Sequence, residues 1–500
     1  MEIGDYLNTT IDYIEENRAN IIKKLTNQKK FSQYFTPVSI AKFMTELFVF
    51  NKEKTIKLLD PGAGIGTLSA VFCEIAFECV DKIDVTAIEI DEDLNPVFEE
   101  NLSLINKNKT LTSRLLNINF IDWANSLINK QMSFFNQDEE RFSHIIMNPP
   151  YKKISSNSSY RKILKESNAD TINLYSAFVG MAIKLLEEDG QLVAILPRSF
   201  CNGPYYRSFR ELILNNTIIE HIHLFESRNN AFKEDGVLQE NMIIKLKKSR
   251  VIQNVKVSTS SDATFKDYKE NEFKFEDIVI PTNKEKFIHI PLSTEKRIYD
   301  IYPSINSSLS DLNLNISTGP VVGFRNKEFL RMIPDENCVP LFYAMHIENK
   351  NINWIKETKK KANAILWNEE TGKKLYPKGY YVIMRRFSPK ESKMRINSAV
   401  INPNRFKQEV YGFENSVNVI HSNKHGMDEL LALGINGYIS STIFDSYFRT
   451  FNGHTQVNAT DIRQMLFPNE EILLKIGKDI KEKKPGLQNE LDNIIKRRIL

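Results

Sequence analysis

A chain of 500 residues is long for one hydrophobic core and points to two or three domains, and its 41% hydrophobic and 26% charged residues are those of an ordinary globular protein. The formal charge of +4 hides where the charges sit, so the total by itself selects no partner. Cys73, Cys79, Cys201 and Cys338 form no CxxC pair and no cluster with histidine, which gives no ground for a disulfide framework or a metal site and makes a reducing cytoplasm the expected setting.

The opening stretch MEIGDYLNTTIDYIEENRAN carries acids and no apolar core segment, unlike a signal peptide, and residues 1–30 read as a polar-faced helix. No run approaches the roughly 18 apolar residues of a membrane span. In FSQYFTPVSIAKFMTELFVF, Thr36 is a good N-cap with Pro37 at the first helical position, and Ile40, Met44, Leu47 and Phe48 form an apolar stripe. Phe31, Tyr34 and Phe35 would then stand beside a positive helix terminus able to hold a carboxylate.

Residues 55–60, TIKLLD, read as a buried strand that breaks into Pro61-Gly62-Ala63-Gly64-Ile65-Gly66-Thr67 and a following helix. The glycines allow a tight turn and close approach of the backbone to a ligand, a feature shared by many nucleotide sites. A second strand, residues 85–90, ends with Glu89, 23 residues beyond Gly66 and near the offset of about 20 at which an acid grips a ribose. A third, residues 115–120, runs into Asp122, suited equally to accepting from an adenine amino group and to capping a helix.

A fourth strand, SHIIMNPPY at 143–151, must leave the sheet where Pro149 and Pro150 lack backbone donors. It presents Asn148 and Tyr151 at the strand edge where open α/β sheets bind ligands. An amide, a proline carbonyl and an aromatic face suit a planar base bearing an amino group. A glycine turn and two acids ending the neighbouring strands form an adenosine-shaped site beside it.

Beyond Tyr151 a polar Ser/Asn-rich segment reads as a flexible loop with Lys152, Lys153 and Arg161 available to phosphates. Further strands starting at 191, 218 and 241 complete a set of seven, the last two without a helix between them and therefore antiparallel neighbours. From about 250 the pattern changes to short strands and Asn/Ser/Lys-rich loops, dividing the chain into 1–250 and 251–500. Residues 371–410 hold ten lysines and arginines against two glutamates, interleaved with Tyr380, Tyr381, Phe387 and Phe406. Such a run favours a DNA-contacting surface, with Arg385 and Arg386 as contact candidates. Pro334-Asp335 and Glu348-Asn349-Lys350 fit a loose PD…ExK nuclease pattern, which is short enough to arise by chance.

Taken together, FSQYFTP, LLDPGAGIGTL, VTAIEID, INFIDW, IIMNPPY, GQLVAILP and NNAFKEDGV, roughly the first half of the chain, resemble the adenine-specific DNA methyltransferases of restriction-modification systems, in the gamma order of motifs. The length and ISSTIFDSYFRTFNGHTQVNATDIRQMLFP resemble the BsuBI/PstI-type modification methylases. The resemblance implies an α/β fold: a class I, Rossmann-like seven-stranded sheet in 1–250 that binds S-adenosylmethionine, and a mixed α+β target-recognition domain in 251–500. It places Phe35 and Thr36 at the methionine end of the cofactor with Asp60, Gly62 and Gly64 lining it, Glu89 on the ribose and Asp122 on the cofactor adenine. Asn148, Pro149, Pro150 and Tyr151 would hold the target base, with Phe232 stacking on its other face. The implied enzyme is a bacterial, cytoplasmic monomer acting on double-stranded DNA beside a separate restriction endonuclease, with CTGCAG the first sequence to try. An RNA adenine or protein glutamine methyltransferase, or a non-catalytic DNA-binding subunit, are the alternatives.

Overall fold

The computed structural model describes every residue except 1–2, 25–34, 52–53, 106–108, 132–139, 156, 168, 226–239, 282, 292–301, 358–360, 390 and 453–454. Phe31, Tyr34 and Phe232 therefore lie outside the described residues. The chain divides into two compact units, one of Met1–Cys201 with Tyr205–Thr294 and one of Asn202–Pro204 with Glu295–Leu500.

The first unit is built on a sheet of nine strands: β1 (Ile56–Pro61), β2 (Lys82–Ile88), β3 (Thr110–Leu116), β4 (Phe142–Met147), β5 (Leu186–Pro197), β6 (Ile218–Phe225), β7 (Asn241–Lys247), β8 (Val255–Ser260) and β9 (Lys269–Phe273). Their order across the sheet is β3-β2-β1-β4-β5-β7-β6-β8-β9. The first five run parallel, and β7 is antiparallel to both β5 and β6. Six of the seven expected strands lie where they were expected, the third lies earlier, at Thr110–Leu116 instead of 115–120, and the pairing of the last two is the one their missing helix required. The order reverses between β1 and β4, so the C-terminal ends of those two strands frame the crevice where such sheets bind ligands.

The sheet does not stop at residue 247. β8 pairs parallel to β6 and β9 antiparallel to β8, so the first unit runs on to 294 and the boundary expected at 250 falls inside it. A polar seam helps to join β8 to β6. Ser258 Oγ lies 2.7 Å from His221 Nε2 and 2.9 Å from His223 Nδ1, and Ser260 Oγ lies 3.1 Å from His223 Nε2. Burial pushes His221 down to about 4 and His223 down to about 3, so both rings are neutral and are satisfied by hydroxyls instead of charges. Alternating Ser-x-Ser and His-x-His give no apolar signal, which is why composition placed the boundary too early.

Two apolar clusters are packed around this sheet. One gathers Leu59, Met147, Phe178 and Leu196 with their neighbours; the other holds Ile40, Met44, Phe72 and Ile146. The stripe of the helix Val38–Glu46 is part of the second, as its spacing predicted.

The second unit contains a four-stranded antiparallel sheet of Asn315–Thr318, Val417–His421, Tyr381–Arg385 and Ser398–Ile401 in that order, and a five-stranded sheet that includes Cys338–Phe342 and Val410–Phe413. Helices Glu429–Ile439 and Glu470–Lys483 pack so closely that Gly434 and Gly477 sit against backbone of the facing helix, where a Cβ would come within 2.0 Å and 1.8 Å of a carbonyl oxygen. The mixed α+β character expected for 251–500 is present from 295 onward.

Candidate active site

A cavity of about 280 Å³ opens at the C-terminal ends of β1, β2 and β4, lined by Phe35, Thr36, Gly62, Gly64, Glu89, Asn148, Pro149 and Pro150 among others. Four separate sequence motifs meet in it.

Its floor is the turn after β1. Gly62 and Ala63 donate their backbone N–H groups to the Ile88 carbonyl at 2.8 and 3.0 Å, which ties the turn to the end of β2. Gly64 has a φ of +56°, and a Cβ there would press on the Phe35 ring at 3.3 Å. Gly66 has a φ of +76°, and its Cβ would fall 2.6 Å from Phe98. Both positions therefore require glycine for backbone conformation and for space.

Glu89 clamps this turn. One carboxylate oxygen accepts from Gly64 N at 2.9 Å, and the other from Ile90 N and Asp91 N, both at 2.9 Å. Three of the roughly four acceptor positions of a carboxylate are thus used inside the protein, which leaves one for a ligand hydroxyl. Burial raises the Glu89 pKa against these hydrogen bonds. Asp91 caps the next turn through Asp93 N, and of the two acids it is Glu89 that lines the cavity.

Asp60 is placed differently from the expectation that it lines the cavity. It is fully buried behind the turn, where one oxygen accepts from Ser69 Oγ at 2.7 Å and the other finds no hydrogen-bond partner among the described residues. Burial, reinforced by the charge of Glu89 and opposed by the Ser69 hydrogen bond, pushes its pKa up to about 7.

Thr36 is not a helix cap. The helix begins at Val38 behind Pro37, and the carboxylate at its N-terminus is Glu15, which accepts from Val38 N at 2.9 Å. The terminus expected to hold a ligand carboxylate is already neutralised from within the chain. The Thr36 hydroxyl turns to the site instead, accepting from Asn148 Nδ2 at 3.1 Å. Asn148 Oδ1 in turn accepts from the Tyr151 hydroxyl at 3.0 Å, and that hydroxyl also lies 3.1 Å from the Ile195 carbonyl on β5. The amide of Asn148 is therefore fixed at both ends. The Tyr151 ring stands edge-on to Tyr175 at 6.2 Å and packs against the apolar core.

The end of the third strand differs from the sequence expectation. β3 ends at Leu116, earlier than expected, and Phe120 opens the helix Phe120–Gln131, with Asp122 exposed on its first turn and absent from the cavity lining. Asn119 lines the cavity instead. Its side-chain oxygen caps the helix by accepting from Ile121 N at 2.9 Å, its amide donates to the Tyr160 hydroxyl at 3.0 Å, and it lines the cavity with Ile90, Ile118 and Phe120. An asparagine directly before a helical run is an N-cap signature that would have set the helix start correctly.

Lys152 lines the cavity mouth, and Lys153 is exposed beside it. The segment is not a free loop: Ile154 N donates to the Ile172 carbonyl, Leu174 N donates to the Lys152 carbonyl, and Ser159–Glu166 is a helix capped by Ser158. Arg161, expected to be available to phosphates, is engaged by Asp170 at 3.2 Å and by the Thr171 carbonyl.

In the second unit the basic run is divided. Arg395 is buried against Phe448 and donates to Asn452, Arg405 donates to the Ile352 carbonyl, Lys378 faces Glu409, and Arg385 donates to the Ile347 carbonyl. Arg386 is half-exposed and donates to the Asn415 carbonyl at 3.2 Å, and Phe387 beside it is 54% exposed. The nuclease-like residues have separate partners: Glu348 holds Lys356 and Asn353, Lys350 donates to Gln488, and Asp335 accepts from Asn337 N.

A cationic, nucleoside-bearing group fits these residues: a left-handed glycine turn, an acceptor position remaining on Glu89, a buried acid behind the turn, and apolar walls for a base. Fold and site define a class I methyltransferase that uses S-adenosylmethionine. Residues 87–232 match the family model described as Eco57I restriction-modification methylase. The chain is 45% identical to Type II methyltransferase M.BsuBI of Bacillus subtilis across 98% of each chain, and 36% identical to Type II methyltransferase M.PstI of Providencia stuartii across 95% of this chain and 94% of the other. Among solved structures, a type I restriction-modification system methyltransferase subunit from Streptococcus thermophilus is similar at a TM-score of 0.37 and 21% identity, covering 46% of this chain and 47% of the other. The chain belongs to the type II restriction-modification methyltransferases.

Proposed function

We propose that this protein methylates the exocyclic amino group of an adenine flipped out of duplex DNA, protecting that sequence from a cognate restriction endonuclease. The observation that carries the reading is the doubly anchored amide of Asn148 beside the glycine-turn cavity.

The cofactor, when bound, supplies an electrophilic methyl group on a sulfonium. The residues of the chain do the rest by position. Glu89 and Gly64 hold the ribose side, and Asn119 with Ile90 and Phe120 takes the cofactor adenine. Asn148 Oδ1 has two lone pairs; the Tyr151 hydroxyl takes one, and the other accepts a hydrogen of the target amino group, whose second hydrogen goes to the Pro149 carbonyl. Both acceptors localise the nitrogen lone pair and aim it at the methyl carbon that bound cofactor would supply, where an N–C bond would replace the S–C bond and the surplus proton would leave to water. A base within a duplex is out of reach, and flipping it costs a few kcal/mol. Stacking on Tyr151, with Phe232 as the second face, returns about 1 to 3 kcal/mol per contact. Lys152 and Lys153 meet the backbone phosphates, and Arg385 and Arg386 are the candidates for DNA contact in the second unit.

Transfer of tritium from labelled S-adenosylmethionine to duplex DNA, RNA and protein, followed by modified-base analysis, tests this. N6-methyladenine in duplex DNA is the expected product, with a CTGCAG duplex the first substrate. Label on cytosine, on RNA alone, on protein, or nowhere overturns the reading. Sedimentation of the purified protein tests the monomer that goes with it.

A further inference from the structure

In the four-stranded sheet of the second unit, the chain leaves Asn315–Thr318 and Tyr381–Arg385 and enters Val417–His421 at one and the same end. The pairing continues past the strands. Asn415 N donates to the Val321 carbonyl at 2.9 Å, Arg386 N to the Ser416 carbonyl at 2.9 Å, and Val457 N to the Arg386 carbonyl at 2.8 Å. Four segments, around 321–325, 414–416, 386–388 and 455–457, thus lie side by side. Gly319 locks the first to the second, since a Cβ there would come within 2.2 Å of the Glu414 carbonyl oxygen.

What this rigid end displays is unusual for a water-facing surface. Phe324 is 69% exposed and Phe387 54% exposed. Each has a guanidinium beside its ring, Arg325 at 5.4 Å from the Phe324 centroid and Arg386 at 6.0 Å from that of Phe387. Neither arginine forms an ion pair with a carboxylate among the described residues; Arg386 donates one guanidinium N–H to the Asn415 carbonyl at 3.2 Å, which leaves its other donors to a ligand, and Glu414, the buried acid at this end, is taken up by Ser416 N. Asn415 and Gln456 are half-exposed, with no side-chain hydrogen bond among the described residues.

Exposed aromatic rings are the side chains that wedge between or stack on bases. Arginine, asparagine and glutamine are those that read purine edges by paired hydrogen bonds. We infer that this end of the sheet is the base-reading surface for duplex DNA, with Arg386, Asn415 and Gln456 contacting base edges and Phe324 and Phe387 acting as apolar wedges. The inference rests on the DNA-methyltransferase reading and goes beyond it by assigning the residues that select the sequence. A protein partner would also use aromatic and arginine side chains, but unpaired cations beside idle amides suit a polyanion with hydrogen-bonding edges better.

The test uses the full-length protein and methylation-free bacterial genomic DNA, with the modified positions mapped by sequencing. The wild-type protein is expected to modify one motif. Arg386→Ala, Asn415→Ala and Gln456→Ala should each relax that motif at a definite position by about tenfold or more. Arg386→Lys, which keeps the charge and loses the planar fork, should relax it as well while holding affinity for duplex. Phe324→Ala and Phe387→Ala should each slow methylation of matched duplex about tenfold at sub-saturating DNA, the loss of one base–aromatic contact. These side chains stand at the surface, so thermal midpoints should match the wild type. If the wild-type protein modifies one motif and all variants keep its motif and rate, this inference fails and the proposed function stands. If the wild-type protein modifies no DNA, both fail.

Discussion

Asn148 donates its side-chain amide to the hydroxyl of Thr36, 112 residues earlier in the chain, at 3.1 Å. A threonine that the helix does not need as a cap thereby fixes which end of the amide turns toward the Tyr151 hydroxyl. Thr36→Val keeps the shape and removes the acceptor, so the amide regains freedom to turn. The turnover number should fall about tenfold, the equivalent of the roughly 1.4 kcal/mol at the upper end of one hydrogen bond, with cofactor affinity within a factor of two or three. Single-turnover methyl transfer and equilibrium binding of S-adenosylmethionine measure the two parts.

Tyr151 carries two separable roles. Tyr151→Phe loses the hydrogen bond to Asn148 Oδ1 and keeps the ring, so chemistry should slow about tenfold while DNA binding holds. Tyr151→Ala loses the ring as well, and binding to a duplex with a mismatched target should weaken by a further 1 to 3 kcal/mol or about that. Equal effects of the two variants on DNA binding would remove the stacking role.

Asn119 and Asp122 make a matched pair for the cofactor. Asn119→Ala should weaken S-adenosylmethionine binding measurably and cost about 1 kcal/mol of stability through the lost cap. Asp122→Ala, on the exposed face, should stay within about 0.5 kcal/mol on both counts. Isothermal titration and urea unfolding on the two proteins decide it; the reverse ranking would return the adenine contact to Asp122.

Asp60 predicts a pH dependence of stability. Its pKa is pushed from the ordinary 3.8 up to about 7, so folding takes up a proton between those values. The folded state is then favoured at the acid end of this window and loses up to about 1.4 kcal/mol of this contribution per pH unit as the pH rises through it. Asp60→Asn keeps the Ser69 contact and carries no charge, so the difference in unfolding free energy between it and the wild type should grow in favour of the variant from pH 5 to pH 8. A constant difference would mean that Asp60 is ionised throughout.

Much of the site was legible because its chemistry sits in short, local strings: the glycine turn, Glu89 at a strand end and Asn148-Pro149-Pro150-Tyr151 each announce themselves within a few residues. What was not legible depended on partners far away in the chain. Thr36 looked like a cap until Glu15 was seen to neutralise that helix, and Asp122 looked like a strand-end residue because apolar residues before it extended the apparent strand past its true end at Leu116. The basic run is less free than its composition suggests, since Arg395 and Arg405 are taken up by contacts with Asn452 and Ile352 that no local pattern encodes.

The β8–β9 extension bears on how this protein can be dissected. A catalytic fragment cut at 250 would strip Ser258 and Ser260 from two buried imidazoles and turn β6, with its apolar Ile222 and Leu224, into an open edge ready to pair with another molecule. Cut at 294 instead, the fragment ends its sheet on β9, where exposed Lys269, Glu270 and Glu272 discourage a second strand from adding. The short acidic and basic strand that composition assigned to the neighbouring unit is the guard that keeps the catalytic sheet from polymerising.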